Sequence, residues 1–99
     1  FDEKNEGDSL LFNLQKLIQD RKNNPSEKSY TSELFRKGIN KIAQKVGEEA
    51  VEIVIEAKDE NDDLFLGEAA DLIYHYLILL TAKNKKLENV IDVLRNRHT

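Results

Sequence analysis

The stretch from Leu64 to Lys83 constrains this chain more than any other. Ala69, Ala70, Leu72, Ile73, Tyr74, Tyr76, Leu77, Ile78, Leu79 and Leu80 surround a helical wheel almost completely. A helix that is apolar all round is a buried one. It must be covered, and the rest of the chain offers helices to cover it.

Three other helical patterns can be read from period and punctuation. The first runs from about Ser9 to Arg21, with Asp8 or Ser9 as N-cap and Leu10, Leu11, Leu14, Leu17 and Ile18 on one face. Asn23-Asn24-Pro25-Ser26 ends it. The second begins near Thr31 or Ser32, is broken or kinked at Gly38, and continues to about Lys58. Ile39, Ile42, Ala43, Val46, Ala50, Ile53, Val54 and Ala57 form its apolar face. The β-branched run Val51 to Ile55 suits a strand locally, but the periodic context on both sides favours helix. Asp59 to Asp63 is a polar loop in which Asp62 or Asp63 can cap the apolar helix. After Asn84-Lys85-Lys86, Leu87, Val90, Ile91 and Leu94 mark a last helix. The expected fold is all-α, a bundle of about four helices.

With 99 residues the chain reads as one domain, large enough to bury roughly 65% of its unfolded surface. The absence of cysteine excludes disulfides and thiolate metal sites. The net charge of −4 gives no support for nucleic-acid binding. No uninterrupted apolar run approaches the roughly 18 residues of a membrane span, and no signal-peptide pattern opens the chain. A cytoplasmic protein is the plain expectation. Residues 1–8 are polar and read as a linker or the tail of an upstream domain, leaving 9–99 as the folded unit.

The apolar helix poses the chemical question. Glu68, Asp71 and His75 lie at i, i+3 and i+7, one polar stripe on a buried rod. An ionised carboxylate out of water costs several kcal/mol unless paired or bound to a metal, and two of them one turn apart repel. The second helix offers a matching pair at the same spacing, Glu49 and Glu52. Around the wheel Glu49 lies about 20° from Ile42 and about 40° from Ile53, at the edge of the apolar face. If the two helices pack antiparallel, the pairs face each other. Oxygen donors without thiolate suit a hard cation, Mg²⁺ first and Mn²⁺ second. The competing reading makes these acids solvated positions, or i, i+4 partners of Lys41, Lys45 and Lys58.

Lys37, Lys41 and Lys45 repeat every four residues and lead to Glu49. They are either phosphate contacts beside a metal or a solvated lysine face. His75 is a further ligand, a hydrogen-bond orienter, or a satisfied core histidine. Arg95, Arg97 and His98 suit helix-dipole contacts at the C-terminus. The chain has no GxxxxGK[ST] loop, no GxGxxG, and none of the Glu-x-x-His pairs of a di-iron bundle.

Glu48-Glu49-x-x-Glu52 followed by Glu68-x-x-Asp71 resembles the EExxE…ExxD signature of the MazG-like all-α NTP pyrophosphatases. SYTSELFRKG (Ser29–Gly38), KIAQKVGEEAVE (Lys41–Glu52), EAADLIYHYLILL (Glu68–Leu80) and VIDVLRNRH (Val90–His98) narrow the likeness to the phosphoribosyl-ATP pyrophosphatases of histidine biosynthesis. The resemblance implies hydrolysis of phosphoribosyl-ATP to phosphoribosyl-AMP and pyrophosphate. It implies Mg²⁺ held by Glu49, Glu52, Glu68 and Asp71, catalysis by Glu48 or Glu49, and substrate contacts from Tyr30, Thr31, Lys41 and Lys45. It also implies a homodimer whose two chains complete the core, and, in longer proteins, a fused upstream phosphoribosyl-AMP cyclohydrolase. A housekeeping NTP pyrophosphatase and a non-enzymatic helical dimerisation module are the rival readings.

Overall fold

The computed structural model describes residues 6–98, with side chains from Leu10 onward. It consists of five helices in the order α1 (Glu6–Asn23), α2 (Tyr30–Lys37), α3 (Ile39–Ala57), α4 (Asp62–Ala82) and α5 (Leu87–Arg97), with no strand among the described residues. The Val51–Ile55 run is helical, as its surroundings required. The linker assigned to 1–8 lies mostly outside the described residues. Helix α1 begins at Glu6, ahead of the expected Ser9. Asp and Ser are tolerated within a first turn, so they mark a region and not a boundary.

The extra helix arises at Gly38. Its φ of 98° and ψ of 174° end α2 and start α3, in a backbone region that is essentially glycine's alone. Helix α2 is capped by Ser29 and not by the expected Thr31 or Ser32: the Ser32 N–H donates to Ser29 Oγ at 3.1 Å. Thr31 and Ser32 are instead buried in the first turn, with hydroxyls turned to tertiary partners. Ser32 Oγ donates to the Arg21 carbonyl (3.1 Å) and accepts from the Ser26 N–H (3.1 Å), tying α2 to α1 and its loop. Helix α4 is capped one residue earlier than expected, by Asn61, whose Oδ1 accepts from the Leu64 N–H at 3.1 Å. Asp62 and Asp63 fall in the first turn, where their charge favours the helix N-terminus. At α5 the Lys86 N–H donates to Asn89 Oδ1 (2.9 Å).

The short Lys58–Asn61 connection folds α3 and α4 into a hairpin, the most extensive interhelical contact of the molecule. Ile18, Leu34, Ile42, Leu77 and Ile78 form the buried core, where α1 and α2 close over the start of α3 and the end of α4. The other half of the hairpin is less covered than its composition suggests. Val51, Val54 and Ile55 on α3 and Leu64, Leu66 and Ile73 on α4 are all exposed within the single chain. Of the expected α3 face only Ile42 is buried. Helix α4 is also long and apolar enough to cross a bilayer, with mean hydropathy 1.3, contrary to the sequence reading. A core helix meets the same criterion, and the C-terminal half of α4 is the core here.

Candidate active site

The antiparallel hairpin sets Glu49, midway along α3, against the second turn of α4. Glu49, Glu68 and Asp71 each bring one carboxylate oxygen within 4.8 Å of the other two. Glu49 and Glu68 are half-buried and Asp71 is exposed. Three negative groups this close are unfavourable without a counter-charge. Two signs of that appear. Glu49 Oε1 is closed off from water and receives no hydrogen bond. The Glu68 carboxyl is held above its ordinary value, first by a hydrogen bond to Glu49 available only to the protonated acid, then by desolvation and by the charges of Glu49 and Asp71. Three hard oxygen donors, one of them orphaned, fit a divalent cation of the magnesium type.

Glu52, named with this set from the sequence, is exposed on the next turn of α3 and does not join the group of oxygens. Glu48 is exposed and turned along its own helix. It accepts from Gln44 Nε2 at 2.8 Å and pairs with Lys45 Nζ at 3.4 Å. These partners, Gln44 foremost and then Lys45, lower its affinity for a proton. Lys41 is half-buried one turn before Lys45 and adds its charge to the same effect.

Lys45 links the cluster to α2. Its ammonium is held above its ordinary range, first by the Tyr30 phenol and then by Glu48 and Glu49. The Tyr30 phenol is itself raised, mainly by partial burial, and it interacts with Lys45, Glu49 and Asp71. Its hydroxyl lies 2.8 Å from His75 Nε2. Thr31 is directed elsewhere: buried, it bonds to the Tyr74 hydroxyl. The hairpin and α2 thus bring together Tyr30, Lys45, Glu49, Glu68 and Asp71, and place Thr31, Glu48 and Glu52 at or beyond the margin. His75, read from the sequence as a ligand, an orienter or a satisfied core histidine, is buried with both ring nitrogens hydrogen-bonded; its Tyr30 partner and the role of Tyr74 were missed. Tyr30 and His75 are 45 residues apart, and no spacing rule connects them.

A helical fold whose central α3–α4 hairpin carries a carboxylate cluster defines an all-α protein with an acidic site, the class that the EExxE…ExxD likeness implied. Comparison with known proteins narrows the class. The family model described as phosphoribosyl-ATP pyrophosphohydrolase matches residues 11–98. The "Phosphoribosyl-ATP pyrophosphatase" of Clostridium acetobutylicum is 51% identical over 89 residues, covering 90% of this chain and 81% of that protein. The "Histidine biosynthesis bifunctional protein HisIE" of Caldanaerobacter subterraneus is 48% identical over 99 residues, covering 99% of this chain. Its namesake in Bacteroides thetaiotaomicron is 48% identical over 98 residues. The chain spans only 48% of the length of each of these two bifunctional relatives. This chain belongs to the phosphoribosyl-ATP pyrophosphohydrolase family.

Proposed function

We propose that this chain hydrolyses the α–β phosphoanhydride of phosphoribosyl-ATP, giving phosphoribosyl-AMP and pyrophosphate in histidine biosynthesis, with Mg²⁺ (or Mn²⁺) held by Glu49, Glu68 and Asp71. The observation that carries the reading is the convergence of those three carboxylates in a chain of this family. When bound, the cation supplies charge neutralisation for phosphate oxygens.

The chain's own residues account for the rest. Lys45, and Lys41 one turn behind it, attract the polyphosphate to an otherwise acidic surface. Water adds to phosphorus, the anhydride P–O bond breaks, and a nearby carboxylate takes the water's proton. Glu48 is a weaker candidate for that base than the sequence suggested, because Gln44 and Lys45 favour its ionised form. Its part is to hold Lys45 in place. Glu52 is close enough in sequence to act through bound water from the adjacent turn.

Homodimerisation is part of the proposal. The bare apolar side chains of α3 and α4 flank the cluster on the uncovered half of the hairpin, and a second copy would bury them. A fused cyclohydrolase in the full-length protein is supported by the bifunctional relatives, and a cytoplasmic location by the pathway.

Incubation with Mg²⁺ and either phosphoribosyl-ATP or a panel of nucleoside triphosphates, following pyrophosphate release, tests the reading. Turnover of phosphoribosyl-ATP with little of the panel is expected. Turnover of ordinary dNTPs and none of phosphoribosyl-ATP would transfer the chain to housekeeping chemistry.

A further inference from the structure

The antiparallel hairpin fixes what lies one turn beyond the carboxylate cluster. Glu49 on α3 meets Asp71 on α4. Residues four apart share a helix face. In this register the turn before Glu49, at Lys45, therefore faces the turn after Asp71, at His75. Tyr30 reaches the same level from α2, with its hydroxyl 2.8 Å from His75 Nε2. Lys45 Nζ lies 3.4 Å from Glu48 Oε1, and its side chain is only 28% exposed. The Tyr30 phenol acts on the Lys45 ammonium more strongly than any other group. Among the charges around Tyr30, that of Lys45 comes first, ahead of Glu49 and Asp71.

The hydrogens of this group can be assigned. His75 is buried, and Nδ1 lies 2.7 Å from the Asp71 carbonyl oxygen. A carbonyl has no hydrogen to give, so Nδ1 donates. In the neutral ring Nε2 is then bare and accepts the Tyr30 hydrogen. Edge-on contacts with Tyr30 (centroids 5.8 Å apart) and Tyr74 (5.7 Å) hold the imidazole in this orientation. A phenol has a single hydrogen, so towards Lys45 its oxygen offers lone pairs only. An ammonium is the complement, with three hydrogens and no lone pair. One hydrogen goes to Tyr30 and one to Glu48, which leaves the third for an anion. A free lysine loses rotamer freedom when it meets a ligand; one already held loses less.

We propose that His75 and Tyr30 are positioning residues for Lys45: His75 takes the Tyr30 hydrogen, and the Tyr30 oxygen, together with Glu48, holds the ammonium beside the Glu49–Glu68–Asp71 cluster with one hydrogen free for a substrate phosphate. The inference rests on the hydrolytic reading above. It replaces a direct contact between Tyr30 and substrate with one made through Lys45.

Steady-state kinetics on phosphoribosyl-ATP at saturating Mg²⁺ test the role. Lys45→Ala should raise KM about tenfold or more. Tyr30→Phe and His75→Leu should each raise it about fivefold, the scale of one hydrogen bond, with kcat changed less than about twofold. In a Lys45→Ala background neither should add a further loss. His75→Gln, whose Oε1 can accept the hydroxyl, should bind substrate better than His75→Leu. A fall in kcat at unchanged KM in Tyr30→Phe, a loss that persists in full without Lys45, or a KM unmoved by Lys45→Ala overturns the proposal. Should His75→Leu fail to fold, Tyr30→Phe at a half-exposed position keeps the kinetic test decisive. Nitrogen-15 NMR of protein labelled in histidine and lysine, without substrate, tests the contacts. His98 is the only other histidine, and His75→Gln and Lys45→Ala assign the signals. Nδ1 protonated and Nε2 bare is expected, with the Lys45 ammonium resonance shifting in Tyr30→Phe. A protonated Nε2, or a Lys45 resonance unmoved by Tyr30→Phe, overturns the proposal. A wild-type protein inactive on phosphoribosyl-ATP removes the hydrolytic reading, and the phosphate role with it, while NMR judges the Tyr30–Lys45 contact independently.

Discussion

Glu49 on α3 and Glu68 on α4 hold carboxylate oxygens within 4.8 Å of each other, and Asp71 one turn on completes the group. The hairpin thus enforces a repulsion that a cation or a proton must relieve. In metal-free protein that repulsion, from Glu49 foremost, holds the Glu68 carboxyl above its ordinary value. A group that binds its proton more tightly when folded stabilises fully below its unfolded pKa, and that stability is lost as pH rises through the folded one. In chelator, the thermal midpoint should therefore fall as pH rises above about 4.5, and Glu68→Gln should flatten that part of the profile. At neutral pH, Mg²⁺ at about a hundred times its Kd should add about 2.7 kcal/mol to the wild type and far less to Glu68→Gln. Calorimetry across pH, with and without Mg²⁺, checks both. An unchanged wild-type midpoint on adding Mg²⁺ counts against the cation site.

A buried amide ties the start of α5 to α1, beside the packing of Leu87 against the core. Gln15 Nε2 donates to Glu88 Oε1 at 3.1 Å, and Gln15 Oε1 accepts from the Leu87 N–H at 2.6 Å. Gln15→Ala leaves Leu87 without its partner at the start of the helix and should cost about 1–3 kcal/mol. The Glu88 carboxyl is held below its ordinary range, first by its own backbone N–H and then by Gln15. The stability it contributes is present above the unfolded pKa and disappears as pH falls. The gap between wild type and Gln15→Ala in urea titrations should narrow on acidification below about pH 4.

What the sequence made legible has a physical pattern. Glu68 and Asp71 could be found because they interrupt an apolar helix, where a charge needs a reason. Glu49 could be found because it stands at the edge of an apolar face. Glu52 shares its spacing, but helical periodicity fixes only direction about an axis, and the register of α3 against α4 decides which turn meets Glu68. Gly38 was ambiguous because a mid-helix glycine costs only about 1 kcal/mol, and only its observed φ of 98° marks a break. Thr31 and Ser32 have cap chemistry, but burial redirects their hydroxyls to Tyr74 and Arg21. The Tyr30–His75 bond depends on α2 lying across α4, which no local pattern encodes. The covering of α4 was overestimated for a related reason: composition indicates which residues avoid water, not whether their cover comes from the same chain.

Exposed Val54, Ile55 and Ile73 give the dimer proposal a direct test. If a second copy buries this face, Ile55→Lys or Ile73→Lys places an unpaired charge in an apolar contact. Analytical ultracentrifugation should show a dimer for the wild type and a dimer Kd raised by about two orders of magnitude in either variant. Helicity measured by circular dichroism should hold if the core around Ile18, Leu34, Ile42, Leu77 and Ile78 folds within one chain. A monomeric wild type would leave the exposed face without this explanation.

Neighbouring glutamates on α3 should separate by role. Glu49→Gln removes charge from the oxygen cluster at one of its two half-buried members, so both Mg²⁺ affinity and kcat/KM should fall, the latter about a hundredfold or more. Glu52→Gln alters an exposed side chain outside the group, and a contact made through water should cost about tenfold or less. Glu48→Gln loosens Lys45 without touching the cluster. Its main effect should be a higher KM for the polyanionic substrate, with Mg²⁺ affinity nearly intact. Kinetics at saturating Mg²⁺, combined with Mg²⁺ titration of each variant, distinguish the three. Glu52→Gln matching Glu49→Gln in both measurements would mean that the working site draws Glu52 inward, as closure by a second chain could do. A large fall in kcat for Glu48→Gln at unchanged KM would return Glu48 to the role of base, against the preference its partners Gln44 and Lys45 impose.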